Sequence, residues 1–414
     1  MPGDPDPSSF LSARARALQR RSPLPGYLRE HFARGAAGVD AAGRGYVPLC
    51  VAENRLVFDL LQPKLDAPRR VPARALAYDA MIGAMGFREQ LAVGMERLFL
   101  GRRFAPEQIA VLAGAGSVLE LLFYALADPG DGVLVPTPSY AGFWGDLETR
   151  DELTIVPVPT SDADGFRLSA ERLDRAVAGA GRPVRALLFT SPNNPVGTVY
   201  TPAEIAEVLD WAEAAGVHVV LDEIYALSVH GARPFTSGAR VAPHLGPTRH
   251  IVWAFSKDFA ASGLRCGVLV SENEAVLAAV DSLSYWAATS GDTQHLLGAL
   301  LGDETWLTAY VAENRARLAA AYRATTGALV AAGIPFVPAE AGFFCLVDMR
   351  RFLGAPTWAE EDALWRRMLA RTNVNLTPGS ACRAPEPGFF RLCFAAVPTE
   401  QATSAIARIG AMLV

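Results

Sequence analysis

Short apolar runs alternate with amphipathic stretches through the middle of the 414-residue chain. Seven of these runs have the length and the Val, Ile, Leu and Phe content of buried strands. They read IAVLAG, GVLVPT, LTIVPV, RALLFTS, HVVLDE, IVWAFS and CGVLVS. Between them, helical periodicity is clearest over residues 116–127 and 202–215. Strands that alternate with helices predict an α/β fold with a mostly parallel central sheet covered on both faces.

After residue 273 the pattern becomes mainly helical, with a long helix predicted within 292–333. Two further strands, GFFCLVDMR and GFFRLCFA, alternate with helices expected at about 358–371 and 398–412. This order is typical of a smaller α+β unit. The prediction is therefore a large α/β domain and a small α+β domain with an N-terminal arm that contains a helix at 8–21. The expected bounds are 46–290 for the large domain, and 1–45 with 291–414 for the small one.

Charge and composition exclude several classes of function. The net charge is −5 and there is no basic tract, which argues against nucleic-acid binding. No run of about 18 apolar residues predicts a membrane span, and the first 22 residues lack the apolar core of a signal peptide. The five cysteines are scattered without a CxxC pair. They predict reduced thiols in a cytoplasmic protein and no metal site.

The use of lysine singles out one position. Only two of the 38 lysine and arginine residues are lysines, Lys64 and Lys257. Arginine can replace lysine where only charge matters, but not where an amine must form a Schiff base or lose its proton. Lys64, in LLQPKLDAP, is interpreted as a solvated helix end. Lys257 follows an apolar strand in AFSKDFAASGLRCG, where burial would lower its pKa and make it a nucleophile or a base.

Other predicted strands also end in polar residues, and α/β sheets bind their ligands at the carboxyl ends of the strands. These residues are Gly116 and Ser117, Asn193 and Asn194, Asp222, Glu223 and Tyr225, and Arg265 beyond Lys257. Taken singly they also fit plain turns or a capping aspartate. Together they provide an amine, an anion cradle at a helix start, a carboxylate and hydrogen-bond donors. Pyridoxal phosphate needs this combination.

Longer stretches carry a more specific resemblance. VAENRLVFDLL, ALADPGDGVLVPTPSYAGFWGDL, DTQHLLGALLGDE, AGFFCLVDMRRFL and VNLTPGSACRAPEPGFFRLCFA occur in this order between about 46 and 413. With them the chain resembles the fold-type I pyridoxal phosphate enzymes of the class I/II aminotransferase family. It is most similar to the branch that contains the 1-aminocyclopropane-1-carboxylate (ACC) synthases. The resemblance implies a pyridoxal phosphate enzyme and a homodimer.

The resemblance also implies roles around the cofactor. Lys257 matches the lysine of the internal aldimine, and Asp222 matches the carboxylate that keeps the pyridine nitrogen protonated. Tyr225 and Asn194 match the donors to the ring oxygen. Tyr140 matches the aromatic residue that stacks on the ring, although a core tyrosine would read the same way. The residues matched to the phosphate site are Gly116, Ser117, Ser256 and Arg265.

Two matches concern the substrate. Arg391 matches the arginine that clamps the α-carboxylate, whereas the residues alone suggest an arginine at a strand edge. Glu53 matches a glutamate near the sulfonium of S-adenosylmethionine, and a helix-start glutamate is the alternative. Two positions depart from the family pattern. Ala254 stands where the family has a serine that binds phosphate, and Met81 stands where ACC synthases have a tyrosine, within a Y-x4-G pattern that is otherwise kept.

These observations predict an enzyme that acts on S-adenosylmethionine by Cα deprotonation and loss of methylthioadenosine from Cγ. The product would be ACC, or a vinylglycine-type quinonoid used for γ-substitution or annulation with a second small molecule in specialised metabolism. The alternative is an ordinary amino acid aminotransferase. A silent pyridoxal phosphate sensor fused to a DNA-binding module is disfavoured, because only about 45 residues precede the matched region and the net charge is acidic.

Overall fold

The structure is a computed structural model, and it describes residues 10–20, 24–35, 45–67 and 69–413. The strands are β1 (Val47–Pro48), β2 (Ile109–Leu112), β3 (Gly132–Thr137), β4 (Thr154–Pro159), β5 (Val184–Thr190), β6 (His218–Asp222), β7 (Arg249–Ala254), β8 (Gly267–Ser271), β9 (Phe336–Val337), β10 (Phe344–Asp348), β11 (Val374–Asn375), β12 (Thr377–Pro378) and β13 (Phe389–Cys393).

The α-helices are α1 (Ala13–Arg20), α2 (Gly26–Gly35), α3 (Phe58–Asp66), α4 (Met85–Met95), α5 (Ala115–Leu126), α6 (Phe143–Glu148), α7 (Ala170–Gly179), α8 (Pro202–Ala215), α9 (Gly238–Val241), α10 (Phe255–Asp258), α11 (Glu274–Ser284), α12 (Gly291–Leu301), α13 (Glu304–Ala331), α14 (Trp358–Thr372) and α15 (Thr399–Leu413). The predicted helix at 8–21 is observed as α1, and positions 8, 9 and 21 lie outside the described residues.

A seven-stranded sheet forms the centre of the molecule, and its strands are the seven predicted from the apolar runs. The strand order is β2-β8-β7-β6-β5-β3-β4. β7, β6, β5, β3 and β4 pair in parallel, and β8 runs antiparallel to both β2 and β7. Leu187 and Phe189 of β5 face one hydrophobic layer, and Ala186 and Leu188 face the other. Because helices cover both faces, the strands are continuous apolar runs. The predicted α/β fold is confirmed.

A second hydrophobic core surrounds a four-stranded antiparallel sheet with the order β12-β13-β10-β9. The N-terminal segment joins it, since β1 pairs with β11 and Tyr27 of α2 is buried there. Helix α13 contributes to both cores. Leu307 and Tyr310 pack under the large sheet, and Leu318 packs in the second core. The predicted domain bounds stay a prediction, because this helix belongs to both units.

The topology of the large sheet determines which loops meet. β5, β6 and β7 are parallel neighbours, with Thr190 paired to Asp222 and Asp222 to Val252. The segments that follow these strands therefore leave the same edge of the sheet. In the part of the chain that the structure describes, no helix is both long and apolar enough to cross a bilayer.

Candidate active site

Lys257 lies in α10, three residues beyond the end of β7. Its Nζ atom donates a hydrogen bond to the carbonyl oxygen of Ala52 at 2.7 Å and lies 6.0 Å from the ring centroid of Phe343. Burial lowers the pKa of Lys257 to about 8, and the charge of Arg391 acts in the same direction. Near neutral pH this amine therefore reaches its nucleophilic, neutral form far more easily than an exposed lysine.

The other lysine has a different environment. Lys64 lies in the last turn of α3, and its Nζ atom forms an ion pair with Asp303 Oδ2 at 2.5 Å. Its side chain is 22% exposed, so Lys64 lies at a helix end as predicted and is partly solvated. The Nζ atom lies 5.6 Å from the ring centroid of Trp306, and its charge has a fixed partner that the sequence places 239 positions away.

Asp222 ends β6 with its carboxylate buried at the sheet edge. One oxygen accepts a hydrogen bond from Thr190 Oγ1 at 3.3 Å, and the other accepts one from the backbone N–H of Ile224 at 3.3 Å. Burial raises the pKa of Asp222 to about 6. A carboxylate in such a place is stabilised when a cationic group comes opposite it.

A hydrogen-bonded chain connects three of the predicted residues. Asn194 donates through Nδ2 to the Tyr225 hydroxyl at 3.2 Å, and its Oδ1 accepts from Arg391 Nη1 at 3.2 Å. Arg391 also donates through Nη2 to Cys50 O at 2.8 Å and to Thr377 Oγ1 at 3.1 Å. This chain links the end of β5, the turn after β6 and the small sheet.

Arg391 is buried, with 1% of its surface exposed. It lies on β13, which pairs with β12 on one side and β10 on the other, so the interpretation as a strand-edge arginine is wrong. Its Nε atom has no hydrogen-bond partner among the described residues. A buried guanidinium with a free donor is suited to bind a carboxylate.

The residues at and beyond the ends of β2, β3, β5, β6 and β7 enclose a cavity of about 240 Å³. Its lining includes most of the predicted site residues, which are Gly116, Tyr140, Asn194, Asp222, Tyr225, Ser256, Lys257 and Arg265. The ring of Tyr140 meets the ring of Phe143 edge-on, with centroids 5.3 Å apart. The structure thus brings an amine, a carboxylate, two donors and an aromatic face to one cavity.

An anion cradle forms where α5 begins. Gly114, the residue before the helix, has a φ of 96°. A Cβ atom at Gly114 would collide with the guanidinium of Arg265, and one at Gly267 would collide with the backbone of Gly114. Arg265 donates through Nη2 to Ala113 O at 3.3 Å. Because both glycines lack a side chain, the arginine can reach the helix N-terminus, where backbone N–H groups and the helix dipole favour an anion.

The serines divide into two groups. Ser117 donates its hydroxyl to Ala113 O at 3.3 Å and does not line the cavity, whereas Ser256 does. Ser262 also lines the cavity, although the sequence interpretation did not select it. Ala254 is fully buried in the second core. The serines that line the cavity are therefore Ser256 and Ser262.

Two further lining residues were missed. Thr190 holds Asp222, and Asp146 brings a second carboxylate whose pKa is raised to about 6 by burial and by Glu120. The sequence contained a signal for Asp146. It lies three positions after Phe143 on α6, so the two side chains share one face of the helix, and Phe143 also lines the cavity. Glu53 lies outside the lining and pairs with Arg55 at 2.9 Å, although its charge still favours the protonated Lys257.

Comparisons with known proteins agree with this geometry. The sequence model of the aminotransferase class I and II family matches residues 73–409. 1-Aminocyclopropane-1-carboxylate synthase 3 of Oryza sativa subsp. japonica is 38% identical, covering 89% of this chain and 88% of that protein. The synthase 9 of Arabidopsis thaliana is 35% identical, covering 88% and 82%. The chain belongs to the class I and II aminotransferase family. Its fold matches Thermus thermophilus aspartate aminotransferase with maleate, with a TM-score of 0.82 and 25% identity over 97% of this chain and 99% of that one.

This aminotransferase-family protein is therefore a pyridoxal phosphate-dependent enzyme, and the cavity fits the cofactor. The cradle between α5 and Arg265 can hold the phosphate, and its two glycines leave no room for a Cβ atom. Lys257 could provide an amine of lowered pKa for the aldehyde, and Asp222 could provide a carboxylate for the ring nitrogen. Tyr225 and Asn194 can donate to the ring oxygen.

Proposed function

We propose that this enzyme acts on S-adenosylmethionine, removes its Cα proton and releases methylthioadenosine from Cγ. The observation that carries the proposal is the similarity to proteins named 1-aminocyclopropane-1-carboxylate synthases. Eight such relatives are 33–38% identical over 88–89% of this chain. The cavity around Lys257 supports the proposal, since it holds the groups that Cα deprotonation requires.

Each residue has a proposed task. When bound, pyridoxal phosphate supplies an aldehyde for an amine and a ring that stores the electron pair left by the departing Cα proton. Arg391 binds the substrate α-carboxylate through its free guanidinium donor. Lys257 takes the Cα proton at Nζ, and Asp222 holds a proton on the ring nitrogen. Tyr225 and Asn194 orient the ring through its oxygen, and Tyr140 covers one face.

The product is proposed to be ACC or an amino acid made by γ-substitution or annulation with a second small molecule. Met81, where this chain departs from the ACC synthase pattern, lies with Tyr78 on a separate cavity of about 840 Å³. Within one chain it does not line the cavity of Lys257. The residues around Lys257 serve both outcomes, so product analysis has to decide between them.

The first prediction is the release of methylthioadenosine. Purified enzyme with cofactor and S-adenosylmethionine should form methylthioadenosine together with one four-carbon amino acid product per turnover, which mass spectrometry identifies. A Lys64→Met variant should keep this activity, and a Lys257→Met variant should lose it. Absence of methylthioadenosine, with and without candidate second substrates, would contradict the proposal. Conversion of the cofactor to its pyridoxamine form by ordinary amino acids would instead indicate an aminotransferase.

We also propose that two chains associate through the surface beside the cavity of about 840 Å³ that Tyr78 and Met81 line. Leu76, Tyr78, Tyr285 and Trp286 expose 67–94% of their surface. The two segments that carry them approach each other, since a Cβ atom on Gly291 would lie 2.8 Å from the carbonyl oxygen of Ala75. Exposed aromatic patches of this kind mark protein interfaces.

A cytoplasmic location is proposed as well, because all five cysteines are free and buried.

The second prediction tests this interface. Trp286→Arg should convert a particle of twice 44.2 kDa into a single chain, because a charge buried in an apolar interface without a partner is costly. Light scattering measures the mass. Val330→Arg is the matched control, since Val330 is 69% exposed on α13, outside the proposed surface. A single-chain mass for the parent protein would refute the proposed dimer.

A further inference from the structure

Asp258 is a buried carboxylate next to Lys257, and the mechanism above does not use it. None of its surface is exposed, and it does not line the cavity. Its Oδ2 atom accepts hydrogen bonds from the backbone N–H of Leu227 at 3.0 Å and from Trp253 Nε1 at 2.9 Å. Its Oδ1 atom accepts one from Ser228 Oγ at 2.7 Å. Burial raises its pKa to about 7, and these three donors oppose that shift.

The three donors come from two segments that build the active site. Leu227 and Ser228 belong to the turn that follows β6, and the backbone N–H of Ser228 donates to Tyr225 O at 3.0 Å. Trp253 lies on β7, which leads into α10 and Lys257. One carboxylate therefore ties the turn that carries Tyr225 to the turn that carries Lys257.

Strand pairing alone does not hold these two turns together. The register between β6 and β7 ends at Asp222 and Val252, before either Tyr225 or Lys257. Beyond that point the carboxylate of Asp258 supplies cross-links between the turns. Helix α13 supports the same assembly, since Tyr310 donates its hydroxyl to Asp258 O at 3.3 Å and Arg315 Nε donates to Leu227 O at 3.2 Å.

We propose that Asp258 is a positioning residue that sets the distance between the Lys257 amine and the Tyr225 hydroxyl. It acts through these two residues and touches neither substrate nor cofactor. The inference rests on the proposed roles of Lys257 and Tyr225 toward the cofactor, and it does not depend on which substrate the enzyme uses.

Asp258→Asn tests the proposal with nearly unchanged side-chain volume. The amide oxygen can still accept from Leu227 and Trp253, and the amide N–H can donate to the Ser228 hydroxyl, but all three hydrogen bonds lose their charged partner and hold the turn of Tyr225 less firmly. We expect cofactor affinity to fall about tenfold, the difference in strength between hydrogen bonds to a charged and to a neutral acceptor. The pH midpoint of the absorbance change of the lysine-bound cofactor should rise by about half a unit. A Tyr225 hydroxyl that is held less firmly donates a weaker hydrogen bond to the ring oxygen, and this oxygen then stabilises the proton on the lysine–cofactor linkage more strongly. The kcat should fall more than the KM rises.

Glu361→Gln is the matched control. Glu361 is also fully buried, and its two oxygens accept from the backbone N–H groups of Ser380 at 2.8 Å and Gly388 at 2.7 Å. The loop that Glu361 holds does not line the cavity of Lys257. Replacement of Glu361 should therefore lower stability and leave the absorbance midpoint unchanged. A shift of the midpoint in Glu361→Gln equal to that in Asp258→Asn would show a general effect of instability and overturn the proposal.

Two further results test the positioning role of Asp258. A folded Asp258→Asn protein with the parent's cofactor affinity and absorbance midpoint overturns the proposal. If Asp258→Asn does not fold, Ser228→Ala removes one of the three donors and should raise the midpoint in the same direction by a smaller amount, and an unchanged midpoint there overturns it. These readouts use only protein and cofactor, so a failure to release methylthioadenosine would leave them valid.

Discussion

Lys257→Met is expected to abolish activity and, at the same time, to stabilise the protein that lacks cofactor. Activity should fall by at least about 10³-fold, because the variant lacks both the amine proposed to bond the cofactor and the base proposed to take the Cα proton. The absorbance of lysine-bound cofactor should disappear. Turnover and absorbance spectra measure these two losses.

The stabilisation follows from the lowered pKa of Lys257. In the folded protein this pKa is about 8, below the ordinary value of 10.5. Between pH 8 and 10.5 Lys257 is protonated in the unfolded chain and mostly neutral in the folded protein, so the free energy of unfolding rises with pH over this range. Below about 8 the full penalty of a buried charge is present, up to about 3 kcal/mol at 1.36 kcal/mol per pKa unit. At pH 7 the variant without cofactor should gain about 1–3 kcal/mol in urea unfolding, and most of this gain should vanish near pH 10.5.

Lys64→Met is the natural control, because Lys64 is the other lysine in the chain. Its ion pair with the exposed Asp303 should contribute little to stability, and cofactor binding should be unchanged. Loss of the cofactor absorbance in Lys64→Met, or its persistence in Lys257→Met, would refute the role of Lys257. A less stable Lys257→Met protein at pH 7 would refute the buried charge.

Asp222→Asn is expected to lower kcat by about 10²–10³-fold, the usual loss when one preorganised electrostatic partner is removed. Asparagine keeps the shape, since its oxygen can accept from the backbone N–H of Ile224 while its amide N–H donates to the Thr190 hydroxyl, but it brings no negative charge to hold a proton on the ring nitrogen. The KM should change little, since Arg391 still binds the substrate carboxylate. Steady-state kinetics separate the two parameters.

Glu223→Gln distinguishes this effect from the general loss of a buried carboxylate. Glu223 is adjacent to Asp222 and is 1% exposed, and its Oε1 atom accepts from the backbone N–H of Gly238 at 2.7 Å, outside the cavity. Its replacement should affect stability more than kcat. Equal losses of kcat in the two variants would contradict the assignment of Asp222 to the ring nitrogen.

Much of the fold was predictable because the large sheet is buried on both faces. Six of its seven strands are buried almost throughout and are continuous apolar runs, whereas buried and exposed positions alternate in the edge strand β4. Such apolar runs can be recognised in the chain without knowledge of their neighbours. The buried position of Lys257 was also predictable, because arginine cannot replace an amine that must form a Schiff base or lose its proton, and this lysine follows an apolar strand. The polar residues at strand ends followed from the tendency of α/β proteins to bind ligands there.

The contacts between distant segments were not predictable, and they explain the differences at the site. Glu53 pairs with Arg55 outside the cavity, and the Ser117 hydroxyl bonds back to the preceding turn. Ser262 faces the cavity because a short 3-10 turn brings it there. None of these orientations leaves a periodic trace in the sequence, since each depends on a single local geometry.

The sequence by itself determined the succession of strands and helices along the chain, the lysine proposed to bond the cofactor and the family to which the enzyme belongs. The tertiary structure alone decided which side chains share the cavity and how they are held. Arg391 contacts Cys50 across 341 positions, and Asp258 joins the turns of Tyr225 and Lys257 beyond the end of strand pairing. The reason is physical: burial patterns are local and repeat along the chain, whereas a hydrogen bond between two loops depends on where the whole fold brings them.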